Sequence, residues 1–210
     1  MLMRVLALVL ICLTNAACAT QIPRYEGPDA GYAVASIAAK SGTEYSSYRL
    51  MFRARGGQQT QEFVWLQNNM FSSDKPDFAT ASESGEVNAI KLAPGEYELY
   101  SFSVYQNGYP VETTYGPREP FSIPFTVRPQ QATYLGEYLA IATYGENFFG
   151  MTVKGGPIFV VSNQQARDIA ITKTEEPSIK EFQAAVPGAN ILHPPLFAAA
   201  PSGLGSPPSR

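Results

Sequence analysis

The residue with the strongest claim to chemistry is Glu137, a carboxylate set inside the apolar run TYLGEYLAIAT, residues 133–143. Strict alternation from Thr133 places Leu135, Glu137, Leu139 and Ile141 on one strand face. A carboxylate on that face is driven into a core, where it needs a partner or a raised pKa. With a second carboxylate it could act as a general acid or base in a hydrolase. Gly136 offers a different outcome: a bulge there shifts the register and turns Glu137 towards solvent or a backbone amide, and this is the expectation. If Glu137 points inward instead, Arg118 and Arg128 are the cations of the neighbouring strand region that would pair with it.

The remaining catalytic inventory is thin. The one histidine, His193, stands in the Pro-, Ala-, Gly- and Ser-rich segment 187–210, whereas a catalytic triad or an imidazole metal site needs a rigid scaffold. Asp74, Asp77 and Glu83 lack the regular oxygen spacing of a calcium loop, so neither a metal nor a cofactor is expected. Arg49, Arg53 and Arg55 share a strand face, but nothing beside them adds a phosphate cradle, and a solvated outer face is the expectation. A formal net charge of −3 without a basic stripe argues against nucleic acid as a partner. Tyr100, Tyr105, Tyr109 and Tyr115 are candidates for an aromatic surface that binds an envelope protein, with ordinary two-sided packing as the competing reading. A non-enzymatic binding or structural module is therefore expected, with a periplasmic hydrolase using Glu137 as the alternative.

The first residues decide where such a module works. Met1, Leu2, Met3 and Arg4 precede the short apolar run VLALVLICL, too short to span a bilayer and patterned as an export signal. Cleavage before Cys18, after Ala16 and Ala17, would follow a bacterial lipobox and leave Cys18 as a diacylated, palmitate-bearing N-terminus. Cleavage after Ala19 would discard the cysteine and release a soluble periplasmic chain. Asn15 stands where a lipobox usually has leucine, which keeps both cuts open, and lipidation is the expected one. The two cysteines are Cys12 and Cys18, so the mature chain has at most one and no internal disulfide.

These features must be carried by elements that the apolar periodicity outlines. Residues 1–17 read as signal peptide, 18–30 as tether, 31–186 as one domain and 187–210 as a disordered tail. The clearest strand signal is Phe121, Ile123, Phe125 and Val127, followed across residues 129–131 by the run from Thr133, and the two together predict a hairpin. A second hairpin turns at Gly56 and Gly57, a further turn lies at Pro94 and Gly95, another hairpin at Asn107 and Gly108, and another at residues 154–156. Residues 97–105 are apolar on both faces, with Tyr97 and Leu99 on one and Tyr100, Phe102 and Val104 on the other. The alanine-rich run 31–39 fits a strand but could also be helical.

A helix is predicted over residues 163–174, with Ser162 and Gln165 as a capping box and Ala166, Ile169, Ala170 and Lys173 on one face. A shorter second helix carries Ile179, Phe182 and Ala185. The sum is a mostly β protein: an antiparallel sandwich of about eight to ten strands with one or two short C-terminal helices.

The series YRLMFRARGG, LAPGEYELYSF, FTVRPQQATYLGEY and VSNQQARDIAITKTEEPSI resembles small, uncharacterised Gram-negative envelope lipoproteins with a prealbumin-like or carboxypeptidase-regulatory-like sandwich. The resemblance covers residues 31–179. It implies a sandwich fold and, with Ala19 beside the cysteine, an outer-membrane lipoprotein facing the periplasm. It assigns no activity.

Overall fold

Alternating apolar residues build the smaller of two stacked sheets. The computed structural model describes residues 25–67, 75–108, 111–192 and 196–200; the leader, Cys18, Asp74, Tyr109 and His193 lie outside them. Strands β2 (Ser47–Ala54) and β3 (Thr60–Leu66) form the expected hairpin beyond Gly56, whose φ is 78°. Tyr48, Leu50 and Phe52 point inward between Arg49, Met51 and Arg53, as period two demands. Strand β6 (Gly95–Gly108) pairs with β2 along one edge. Its other edge is shared by β7 (Val111–Tyr115) and β8 (Ile123–Val127).

β6 does not have two apolar faces. Its pairing steps from Met51–Ser101 to Phe52–Leu99, so it holds one extra residue near Tyr100. That bulge reverses the alternation, and Tyr97, Leu99, Phe102 and Val104 all reach the core.

The larger sheet contains β1 (Gly31–Lys40), β4 (Phe78–Ala79), β5 (Glu83–Leu92), β9 (Gln131–Glu146), β10 (Thr152–Ser162), β11 (Glu181–Ala184) and β12 (Phe197–Ala199). Its order is β12-β10-β9-β1-β5-β4, with β11 against the first residues of β9. The sandwich is thus as expected, but the larger sheet is mixed: β1 runs parallel to β9 at its centre, as do β11 to β9 and β12 to β10.

The reason lies in residues 121–143, which are not a hairpin. β8 belongs to the smaller sheet and β9 to the larger, and Gln130, at φ 58°, lies in the turn between them. Both strands carry an apolar face, and the two faces meet across the core instead of lying edge to edge. Thr133 Oγ1 donates to the Thr126 carbonyl at 2.7 Å across the bend.

β1 is a strand buried on both faces, which explains its alanines. One face joins the main core; Val34 and Ala38 on the other pack with Phe78, Val87, Tyr134 and Ile179. Covering that second face is α1 (Gln165–Glu175), the predicted helix displaced by one or two residues. It lies on the sheet with the opposite side from the one expected: Asp168 and Thr172 are buried, while Ala166, Ala170 and Lys173 are exposed. The capping box does not form, because Ser162 is engaged elsewhere and the Gln165 N–H bonds Asn163 Oδ1 at 3.0 Å.

Three further expectations change. The second helix is absent: residues 181–184 form β11, because the open edge of β9 offers a ladder to Phe182 and its neighbours. Residues 154–156 are a bulge inside β10, not a turn; the hairpin turn that joins β9 to β10 lies at residues 147–150. The segment expected to be a disordered tail contributes β12, and Phe197, 1% exposed, stacks on Phe159 with centroids 5.6 Å apart. Leu192 and Leu196 pack beside Phe197, so a few apolar side chains in a Pro- and Ala-rich stretch dock it.

Candidate functional site

Among the described residues, four of the six buried polar ones, Ser36, Glu137, Asp168 and Thr172, lie where α1 meets the larger sheet. Ser36 comes from the middle of β1, Tyr134 and Glu137 from β9, Glu83 from the start of β5, Ser162 from the end of β10, and Arg167 and Asp168 from α1. Gly136 makes the grouping possible. Its φ is 101°, and the pairing with β1 steps from Val34–Tyr134 to Ser36–Glu137, two residues on β1 against three on β9. The bulge expected at Gly136 is therefore present, and it carries Glu137 out of the main core onto the face that Tyr134 shares.

It does not deliver Glu137 to solvent. The side chain is 2% exposed beneath α1, and its partner is neither Arg118 nor Arg128 but Arg167. Arg167 Nη2 donates to Glu137 Oε2 at 2.7 Å, and Ser162 Oγ donates to Oε1 at 3.1 Å. Asp168 accepts from Ser36 Oγ at 2.6 Å, Tyr134 OH at 2.7 Å and Arg167 Nε at 2.7 Å. Gln164 closes the ring, its N–H donating to Tyr134 OH at 3.1 Å and its Nε2 to Ser162 Oγ at 3.3 Å. Arg167 also lies 3.5 Å from Glu83 Oε1 and covers the Phe78 ring at 3.4 Å.

One guanidinium thus faces three carboxylates, and burial sets the protonation balance. Burial pushes the Glu137 carboxyl above the usual carboxylate range; Arg167 pulls it down, while Glu83 and Asp168 push it further up. Burial alone would lower the pKa of Arg167, but the hydrogen bond to Asp168 and the charge of Glu137 outweigh it and raise the value. Tyr134 is raised by burial first and by Asp168 second, so its hydroxyl stays a donor. Chemically the cluster can hold one proton on Glu137. It can also lock α1 to three strands.

No family model, curated protein or solved structure matches this chain. The geometry of its own residues is what informs the function.

Of the tyrosines proposed as one surface, Tyr100, Tyr105 and Tyr115 are described, and Tyr115 does not join the other two. Tyr100 lies on the outer face of the smaller sheet, under Arg53 at 4.4 Å and bonded to Thr60 at 2.6 Å. Tyr105 is raised in pKa by burial and then by Glu112. Tyr115 turns the other way, edge-on to Tyr45, with its hydroxyl donating to the Lys154 carbonyl at 3.0 Å. The arginine row is no anion strip: Arg49 pairs with Glu62, and Arg53 with Glu98 at 2.8 Å. Tyr115 instead lines, with Phe102, Arg118, Phe121, Pro157 and Leu196, a cavity of about 450 Å³ between the two sheets.

Sequence reasoning missed Arg167, Asp168, Ser36 and Tyr134 as members of the site. Ser36 carried a signal, since a serine in the run AVASIAA interrupts an otherwise apolar strand and needs a partner if buried. The helix carried the opposite signal: Ala166 and Ala170, on its expected inner face, are exposed, and Ile171, outside that face, is the one that packs against the sheet.

Proposed function

We propose that this chain is an exported envelope lipoprotein, tethered to the membrane through Cys18, whose domain works as a non-enzymatic structural or binding module facing the periplasm. The observation that carries the non-enzymatic part is the full engagement of the buried carboxylates. Glu137 has Arg167 on one oxygen and Ser162 on the other, and Asp168 accepts from three side chains. Lone pairs that a general base would turn on a substrate are used to clasp a helix. The leader and the residues before Cys18 support export and acylation, and the resemblance to outer-membrane lipoproteins supports the location.

Intact mass of the mature protein from membranes tests the anchor. Two or three acyl chains on Cys18 fit the proposal, and a chain that begins at Thr20 in the soluble fraction overturns it.

The hydrolase reading retains one specific support, the raised pKa of Glu137 beside a second carboxylate. E137A separates the two. Lower stability with an unchanged cellular phenotype fits a clasp, whereas a fully stable protein that has lost its phenotype favours chemistry at Glu137.

A further inference from the structure

The β9–β10 hairpin runs on past the sandwich. β1 accompanies β9 only from Ala132 to Ala140, and the strand then continues to Glu146. The tip it carries is apolar and bare: Phe148 is 97% exposed and Phe149 79%, with Tyr144, Met151 and Val153 also exposed beside them. Residues 147–153, NFFGMTV, contain no charge. A patch of this kind in a folded domain marks a contact with something apolar.

The backbone of the tip indicates which contact. Asn147 Oδ1 accepts from the Phe149 N–H at 2.9 Å and from the Met151 N–H at 3.0 Å. The Gly150 N–H bonds the Asn147 carbonyl at 2.9 Å, and the Asn147 N–H bonds the Met151 carbonyl at 2.9 Å. Four of the five amides from Asn147 to Met151 are thus satisfied inside the turn. A protein partner that added a strand would need such groups open, whereas hydrocarbon tolerates backbone only when its polar groups are internally paired. The shape agrees, since Phe148 and Phe149 project from a narrow convex tip. Below the tip the hairpin is held rigidly. Tyr45 OH donates to the Gly155 carbonyl at 2.6 Å, Tyr115 OH to the Lys154 carbonyl, and Lys154 Nζ to the Glu44 carbonyl at 2.5 Å.

We propose that the β9–β10 hairpin tip, through Phe148, Phe149 and Met151, inserts into the surface of a phospholipid bilayer. This rests on the reading of the chain as an exported, membrane-tethered protein and gives that protein a second membrane contact. The parallel pairing of β1 with β9 puts the tip at the far end of the sheet from Gly31, where the tether enters. From Ala132 to Phe148 is about 50 Å at the rise of an extended strand. Two or three acyl chains on Cys18 already hold the chain at a membrane, and the apolar tip adds a separate contact through the folded domain itself.

The test uses the mature chain as cells make it, with F148W as the reporter. Trp65, the one native tryptophan, is buried in the core and supplies the background. The protein is mixed with vesicles of phosphatidylethanolamine and phosphatidylglycerol that carry brominated acyl chains. The expected result is a blue shift of the emission from the introduced indole and its loss to bromine quenching, with wild-type emission unchanged. F148W/F149S/M151S is expected to lose tip occupancy by about two orders of magnitude, as each such side chain withdrawn from lipid costs about a factor of ten or more.

Emission from F148W that stays red and unquenched overturns the proposal, even where the protein floats with the vesicles through Cys18. Self-association without lipid, abolished by F149S/M151S and unaccompanied by quenching, overturns it in favour of a contact between copies. A chain found to start at Thr20 but still quenched keeps the tip and refutes only the acyl anchor.

Discussion

Arg167 Nη2 and Glu137 Oε2, 2.7 Å apart, connect α1 to a strand that lies thirty residues earlier in the chain. The contact is short and almost dry, with Arg167 24% exposed and Glu137 2%. An ion pair in such a place gains little over apolar packing, but removal of one member strands the other. R167M leaves Glu137 and Asp168 without their cation and is expected to lower stability by about 3 kcal/mol. Urea denaturation measures this, and a loss under roughly 1 kcal/mol, the range of an exposed pair, would rule out the clasp.

Glu137 gives the fold a pH dependence of defined sign. Its folded pKa is raised, so the folded state binds a proton more tightly than the unfolded chain does. The resulting stabilisation is fully present below the unfolded pKa and is lost as pH rises through the folded one. Glu98 works in the opposite direction: Ser122 first and Arg53 second hold its pKa down, and its contribution fades as pH falls through the lowered value. The comparison with E137Q isolates the first effect. Glutamine still accepts from Arg167 and donates to Ser162, and it stays neutral. The stability of E137Q relative to wild type is expected to increase with pH above the ordinary carboxylate range, read from urea curves at a series of pH values; a constant difference would show that Glu137 titrates normally.

G136A tests the bulge that places Glu137. A Cβ there would lie 2.9 Å from the Ser162 carbonyl oxygen and 3.0 Å from Val186, on a backbone with φ 101°. Strain and crowding together are expected to cost about 2 kcal/mol. G145A, with open space around it, is the control and should change stability by less than about 0.5 kcal/mol.

F197A tests whether the C-terminal strand belongs to the core. Phe197 stacks on Phe159 and meets Phe102 and Phe121 edge-on, at 6.2 and 4.9 Å. Its loss is expected to cost about 3–5 kcal/mol. An unchanged melting temperature would return residues 197–199 to the status of a loose tail.

The features legible in the sequence were those set by neighbours along the chain. Apolar alternation in Tyr48, Leu50 and Phe52 located β2, and the glycines after Ala54 located its hairpin. A glycine beside Glu137 indicated a bulge, and the bulge exists. The partner of Glu137 was not legible. Arg118 and Arg128 are nearer in sequence, but the bulge turns Glu137 away from the core side and towards a helix that supplies Arg167 from thirty positions on. The aromatic hairpin tip was visible only as letters, since exposure depends on what the rest of the chain covers.

The amino-acid order by itself determined the class of the fold: period-two burial, turn glycines and prolines, and one late helix build packed sheets. Tertiary structure alone decided that β8 and β9 face each other across the core instead of pairing. It also decided that the polar side of α1 is the buried one, and that Phe197, in a stretch with few other apolar side chains, becomes part of a strand. The physical reason is that periodicity fixes only which residues share a face. A single extra residue, near Tyr100 in β6 or at Gly136 in β9, reverses every later side chain, and what then covers each face comes from distant parts of the chain.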